Sequence, residues 1–260
     1  MANFSPRPSD ALALEIARCP IVQAVLAGDA RGASCRAVVE FQKDRPVGNR
    51  WVPEPWSGHL SEAQVLFLSS NPGAGDPEDD TAPGEVVASR DDDYILHSFE
   101  DAYDDGPWPG IHDGTRLRSP DGKPGKYIRY WGWCQSIAEE LFGREVRPGH
   151  DYALTEMVHC GTQHEIGVWD AAQECVPRYL ERVLAASAAP VVLVVGAVAR
   201  DILSSQHPGL APGVDHLAKG DVGGRPRLIA YIPHPSAFGG KTLAARIGTG
   251  PLQTLRDALR

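Results

Sequence analysis

Val191-Val192-Leu193-Val194-Val195 is an unbroken aliphatic run, almost wholly β-branched, closed by Gly196 and followed by helical spacing over 197–204. A run that is apolar at every position has no solvent face. It therefore reads as a strand buried on both sides, as in a parallel sheet covered by helices. Its surroundings fit that reading. Gln64-Val-Leu-Phe-Leu-Ser69 is a second short apolar run, and it leads into the turn Asn71-Pro72-Gly73-Ala74-Gly75. Tyr152–Val158 and Leu228–Ile232 read as two further strands, the last ending in Pro233-His234-Pro235-Ser236. Helical patterns lie between them: an aromatic-rich one over 127–143 that stops at Gly143, and one from Asp170 to Ala186. A closing helix covers Thr242–Leu259, broken near Gly248–Pro251. Strands alternating with helices predict an α/β fold, a three-layer α/β/α sandwich around a central, mostly parallel sheet.

Residues 9–42 read as helical, with Ser9-Asp10 as a cap, an apolar face that ends before Gly28 and a second short helix after Ala33. Residues 44–60, with Pro46, Pro53 and Pro55, form an extended lead-in. The stretch 74–125 is acidic and rich in Gly and Pro, with a helix expected over 92–103. The chain of 260 residues is expected to form one domain, 1–260, with a helical lead-in over 1–60 and an acidic insertion over 74–125. No run of apolar residues is long enough for a membrane helix, and Met1–Ser9 lack the basic-then-apolar pattern of a signal peptide. Five widely spaced cysteines do not describe a secreted disulfide scaffold. A cytoplasmic monomer is the expectation.

The net charge is −9, but it is unevenly spread. Residues 76–105 hold twelve acids and one base, and the rest of the chain has 22 acids against 24 bases. Residues 206–260 carry seven Lys or Arg against three Asp, so the C-terminal quarter is able to meet phosphates. Several motifs fail on inspection. Gly239-Gly240-Lys241-Thr242 ends like a phosphate loop, but Pro235 stands where that loop needs glycine. Gly73-Ala74-Gly75 starts like a dinucleotide fingerprint, but Glu78 replaces its third glycine. What survives is a set of polar strand ends: Ser69-Ser70-Asn71, Glu156 with His159-Cys160, and His234-Pro235-Ser236. Open parallel sheets bind ligands at such ends.

These strand ends carry a resemblance. Leu66-Phe-Leu-Ser-Ser-Asn-Pro-Gly73 resembles the first catalytic motif of the uracil-DNA glycosylase superfamily, in the Gly-x-Asn-Pro-Gly form of its mismatch-specific and single-strand-selective branches. Ile232-Pro-His-Pro-Ser236 resembles the second motif, His-Pro-Ser. Leu154-Thr-Glu-Met-Val-His-Cys160 resembles the Thr-Asn-x-Val-Lys-Cys segment of the iron–sulfur branch, as do Cys175–Leu180 and Val191–Ala199 the segments that follow it. The resemblance spans residues 60–245.

The resemblance implies a monofunctional DNA repair glycosylase whose partner is DNA carrying uracil or another deaminated base, flipped out of the stack for excision. By the same resemblance Asn71 would orient the attacking water and His234 would donate to the base oxygen. Ser69 and Ser70 would line the base edge. Ser236 and Lys241 would hold phosphates, and Phe238 would be the wedge that fills the vacated stack. Phe99 and Tyr103 are the candidates for the aromatic that stacks on the base, a core position being the alternative for both. Two positions depart from the pattern: Ser69 replaces the first glycine, and Glu156 replaces the asparagine that reads uracil. An ionised Glu only accepts hydrogen bonds, whereas a protonated one also donates. The readings left open are uracil met by a neutral Glu156, another damaged base, or a catalytically inactive DNA- or nucleotide-binding module. Cys160 and Cys175 match two cluster ligands of the iron–sulfur branch, whose Cys-x-x-Cys is absent here. Cys19 and Cys35 are the stand-ins for a [4Fe–4S] cluster, packing residues being the alternative for all four.

Overall fold

The computed structural model describes residues 7–43, 50–73, 89–104, 110–118, 122–162, 164–210, 216–237 and 239–260. In chain order these residues form helices α1 (Asp10–Ala17), α2 (Pro20–Leu26) and α3 (Arg36–Val39), strand β1 (Val65–Ser69) and helix α4 (Asp92–Phe99). Strands β2 (Ile111–His112), β3 (Arg116–Arg118) and β4 (Pro124–Tyr127) follow, then helix α5 (Arg129–Phe142) and strand β5 (Tyr152–Glu156). Helices α6 (Val168–Cys175) and α7 (Glu181–Ala186), strand β6 (Val191–Val195) and helix α8 (Ala197–Gln206) come next. Strands β7 (Leu217–Val222) and β8 (Arg225–Ile232) and helices α9 (Leu243–Ile247) and α10 (Thr249–Ala258) complete the set.

The central sheet has the order β5-β1-β6-β8-β7. Its first four strands are parallel, and β7 is an antiparallel edge paired with β8. Alternation along the strands builds both outer layers. Val65, Phe67, Leu193 and Ala230 face Ile137, Leu141, Leu243 and Leu255 of α5, α9 and α10. Leu66, Leu68, Val192 and Ile229 face Ile16, Val38, Val168 and Ile202 of the N-terminal helices, α6 and α8. The α/β/α layering follows, with helices over both faces of a mostly parallel sheet.

The expected elements are interrupted where the backbone demands it. The helical stretch 9–42 breaks at Arg18-Cys19, because Pro20 cannot donate within a continuing helix and instead opens α2. The stretch expected as one helix from Asp170 to Ala186 contains a π turn over Val176–Leu180, around Pro177. Helix α4 stops at Phe99 rather than at 103, and residues 111–127 contain the small antiparallel sheet β2-β3-β4. Acids of this region are structural. Asp91 caps α4 by accepting from the Tyr94 N–H at 2.9 Å. Asp92 pairs with Arg18, and Asp101 with Arg7 at 2.9 Å. Residues 74–88 and 105–109 lie outside the described residues.

The lead-in closes the outer edge of β5. Ser57 bridges Leu154, Thr155 Oγ1 donates to the Pro55 carbonyl at 2.8 Å, and the Glu54 N–H donates to the His159 carbonyl at 2.8 Å. Among the described residues no helix is long and apolar enough to cross a membrane.

Candidate active site

After β1 the chain adds β5 on one side of it and later β6 on the other. The crevice beyond the end of β1 is thus the switch point of the sheet, where such folds bind ligands. Ser69 pairs with Glu156 in register, so the first two polar strand ends are neighbours. The Ser69 and Ser70 carbonyls accept from the Met157 and Val158 N–H groups at 2.9 and 3.0 Å, and both serines are buried. Asn71 is half-buried, and its Nδ2 donates to the Pro72 carbonyl at 2.7 Å. That bond orients the amide so that Oδ1 is left as the acceptor, approached by the Ser70 hydroxyl at 3.4 Å. Ser70 Oγ donates to Glu165, which ties this turn to the segment after β5.

His234 follows the end of β8. The Ser236 N–H donates to its Nδ1 at 3.3 Å, and Ser236 Oγ lies 2.7 Å from the same nitrogen. Nδ1 therefore accepts, and the proton of the neutral ring sits on Nε2. Partial desolvation lowers the His234 pKa; nearby Glu165 opposes that shift and Arg246 adds to it. The ring is thus a neutral donor at physiological pH. Arg246 pins the loop, its Nη1 donating to the Pro233 carbonyl at 2.8 Å while its guanidinium lies over the Trp133 ring, 5.4 Å from the centroid.

A buried polar zone adjoins these ends. Burial raises the Glu156 pKa well above the ordinary carboxylate range, and neighbouring Glu54 raises it further. Glu54 is itself pushed up to about 7 by burial. The hydroxyl of Tyr103 is buried without a hydrogen-bond partner, and that of Tyr130 faces Ser69 and Cys134. Tyr103 and Tyr130 both lie within electrostatic reach of Glu156. Buried polar groups rarely go unpaired, so this zone has the chemistry of a site that hydrogen-bonds a ligand.

The four cysteines meet elsewhere. Cys19 at the start of α2, Cys35 at the start of α3, Cys160 after β5 and Cys175 at the end of α6 line one cavity with Ile21, Pro53 and Tyr179. Burial raises the thiol pKa values of Cys35 and Cys175 to about 12, and each is raised further by neighbouring cysteines. A single tetrahedral zinc ion with Zn–S bonds near 2.3 Å needs sulfurs about 3.8 Å apart. No three of these described sulfurs lie mutually within 4.8 Å. Cys134 is fully buried within the core on α5.

The structure brings Ser69, Ser70, Asn71, Glu156 and His234 to one end of the sheet, but not Phe99. That ring is buried with Ala17, Val52 and Ile95, and the Phe99 carbonyl accepts from the Gly58 N–H, on the lead-in before β1. Tyr103 packs edge-on against Tyr152 at 6.0 Å, with its hydroxyl in the polar zone. Ser236 serves His234 and is exposed, as is Lys241, while Phe238 lies outside the described residues. Tyr130, Glu54 and Arg246 enter the site without having been singled out by the motifs. Compared with models of known protein families and with curated proteins, the chain matches none.

Proposed function

We propose that this protein is a monofunctional DNA glycosylase that hydrolyses the N-glycosidic bond of uracil or another deaminated base. The observation that carries the reading is the gathering of Asn71, Glu156 and a Nε2-protonated His234 at strand ends around the switch point. The C1′–N bond breaks first, leaving cationic character on the sugar and an anionic base. The His234 Nε2–H meets the charge on the base oxygen, where a preorganised donor acts most strongly. Asn71 Oδ1 orients a water, whose oxygen bonds to C1′ and whose proton passes to solvent. A neutral Glu156 resolves the mismatch with asparagine. Its O–H donates to the base carbonyl and its C=O accepts from the adjacent ring N–H, the pattern that uracil and hypoxanthine both present. Burial and Glu54 favour that protonated form.

Cys19, Cys35, Cys160 and Cys175 are the ligands of a [4Fe–4S] cluster in this reading, supported by their shared cavity. These thiolates would hold the cluster between the N-terminal helices and the segment after β5, which it would cross-link. The cysteines line a cavity of their own, apart from Asn71 and His234, so in this reading they act on the fold rather than on the base.

The test is single-turnover excision from oligonucleotides carrying uracil, hypoxanthine, xanthine or thymine mismatches. Wild type is expected to excise at least one. N71A and H234A are each expected to slow that excision about a hundredfold while binding DNA nearly as well. Binding without excision of any of these bases would leave the inactive binding module as the function.

A further inference from the structure

The dipeptide Gly-His occurs just ahead of two strands, as Gly58-His59 before β1 and Gly149-His150 before β5. Both lie at the N-terminal end of the parallel sheet, opposite Asn71 and His234. The two turns touch through their glycines. A Cβ on Gly58 would fall 2.7 Å from Gly149 Cα, and both glycines have positive φ, +99° and +80°. Only glycine allows this approach. The His59 N–H donates to the Gly149 carbonyl at 2.7 Å. The following side chains are thereby forced together, and the rings of His59 and His150 stack with centroids 4.3 Å apart. Tyr103 packs on the same glycine, where a Cβ would meet its Cδ2 at 2.8 Å, and so delivers the next residue, Asp104.

The donor atoms converge. His59 Nε2 lies 2.9 Å from Asp104 Oδ2, and His150 Nε2 lies 3.2 Å from Asp104 Oδ1. One donor atom from each of the three residues lies within 4.8 Å of the others. On its far side, His150 Nδ1 is 3.2 Å from Glu62 Oε2. A neutral imidazole has one N–H. With that proton on Nδ1 facing Glu62, the Nε2 lone pair of His150 points at the Asp104 carboxylate. Among the described residues Asp104 has no lysine or arginine partner to share its charge. A divalent cation between the two Nε2 atoms and the carboxylate would meet both lone pairs and the charge of Asp104. Glu62 then has the place of the carboxylate that orients a metal-bound histidine.

We propose that His59, Asp104 and His150 form a binding site for a divalent transition-metal ion of the zinc class, with Glu62 orienting His150. Two imidazoles and one carboxylate suit such an ion and leave a coordination position for water. The ion fastens the segment after α4 to the base of the sheet. This site is independent of the glycosylase reading and of the cysteine cavity.

The test is titration of the full-length protein, cleared of adventitious divalent ions, with Co2+ and then Zn2+. One equivalent of Co2+ is expected to show visible d–d bands without the near-ultraviolet sulfur charge-transfer band that cobalt on cysteine gives, and Zn2+ is expected to displace it. Zn2+ is also expected to raise the thermal midpoint. D104N and H150Q should each lose both effects, and E62Q should bind about ten- to a hundredfold more weakly. Absence of nitrogen- and oxygen-ligand bands with no midpoint shift, or bands that survive in D104N and H150Q, would overturn the proposal. Should those variants fail to fold, diethyl pyrocarbonate labelling of wild type decides: Zn2+ protection of His59 and His150 supports the site, and equal labelling with and without Zn2+ rejects it.

Discussion

The phenol ring of Tyr130 lies nearly parallel to the imidazole of His234, with centroids 5.9 Å apart and planes 14° from parallel. Tyr130 is the second residue of α5, so this contact ties a helix of one outer layer to the end of β8. Ser236 fixes the imidazole within its plane, and Tyr130 fixes the plane itself. Aromatic pairs of this kind contribute about 0.5–1.5 kcal/mol. Y130A is therefore expected to slow excision roughly two- to tenfold, whereas Y130F, which keeps the ring, stays near wild type. A positioning role has a second readout. Removing the ring rehydrates His234 and should move its titration upward, toward the ordinary histidine range, as followed by NMR.

The neutral form of Glu156 has a kinetic signature. Its pKa is raised, so the donor O–H is present below that pKa and lost above it. Excision of uracil by wild type should fall as pH rises through this titration. E156N keeps donor and acceptor at every pH and should lack the fall, though other titrations remain. A wild-type profile with no alkaline limb that E156N removes would mean that Glu156 meets the base ionised.

Glu54 makes a matching prediction for stability. Its folded pKa, about 7, exceeds the unfolded value, so the native state binds the extra proton. The contribution is complete below the ordinary glutamate pKa and is lost as pH rises from there to about 7. His159, lowered to about 4 by burial, acts oppositely over the acidic part of that window, because its charged form is favoured in the unfolded chain. The difference between wild type and E54Q isolates the Glu54 component. E54Q should gain thermal stability relative to wild type as pH rises through that window, measured by calorimetry across pH.

The cavity cysteines are tested by colour and iron. Protein purified without oxygen should be brown and carry four irons per chain, as a [4Fe–4S] group requires. C160S and C175S should each lose most of that iron, while C134S, altered in the core of α5, should keep it. Colourless, iron-free wild type would return all four cysteines to packing.

Legibility in the sequence follows the physics of each element. Val191–Val195 was readable because a strand buried on both faces has no polar position. Strand β7, Leu217-Ala-Lys-Gly-Asp-Val222, was not, since it is an edge with mostly exposed or half-buried side chains. The one local signal beside it is the hairpin turn Gly223-Gly224, both with positive φ. Asn71 and His234 stand in short local motifs. Tyr130 reads as one more aromatic on an amphipathic helix, and its stacking on His234 is what marks it out. Pairing of Glu54 with Glu156 depends on the lead-in lying along β5, a contact between residues about a hundred positions apart that no local pattern encodes.

The DNA path is expected to cross the joint between β4 and α5. Lys126 and Arg129 are exposed there, just ahead of Tyr130, and Arg116 lies over the Tyr127 ring at 5.7 Å. Cations so near the His234 partner are within reach of phosphates flanking a flipped nucleotide. Such contacts set register and affinity without reading sequence. K126E and R129E should therefore weaken binding to all oligonucleotides alike and lower the salt dependence by about one unit of slope for each cation lost. The single-turnover rate at saturating DNA should stay near wild type, because neither side chain belongs to the base-breaking set. Lys241 is exposed on the loop after His234 and provides the comparison. Loss of affinity in K241E with no change in K126E and R129E would route the strand past the C-terminal loop alone. Losses in all three variants would place the DNA across both sides of the Tyr130–His234 pair.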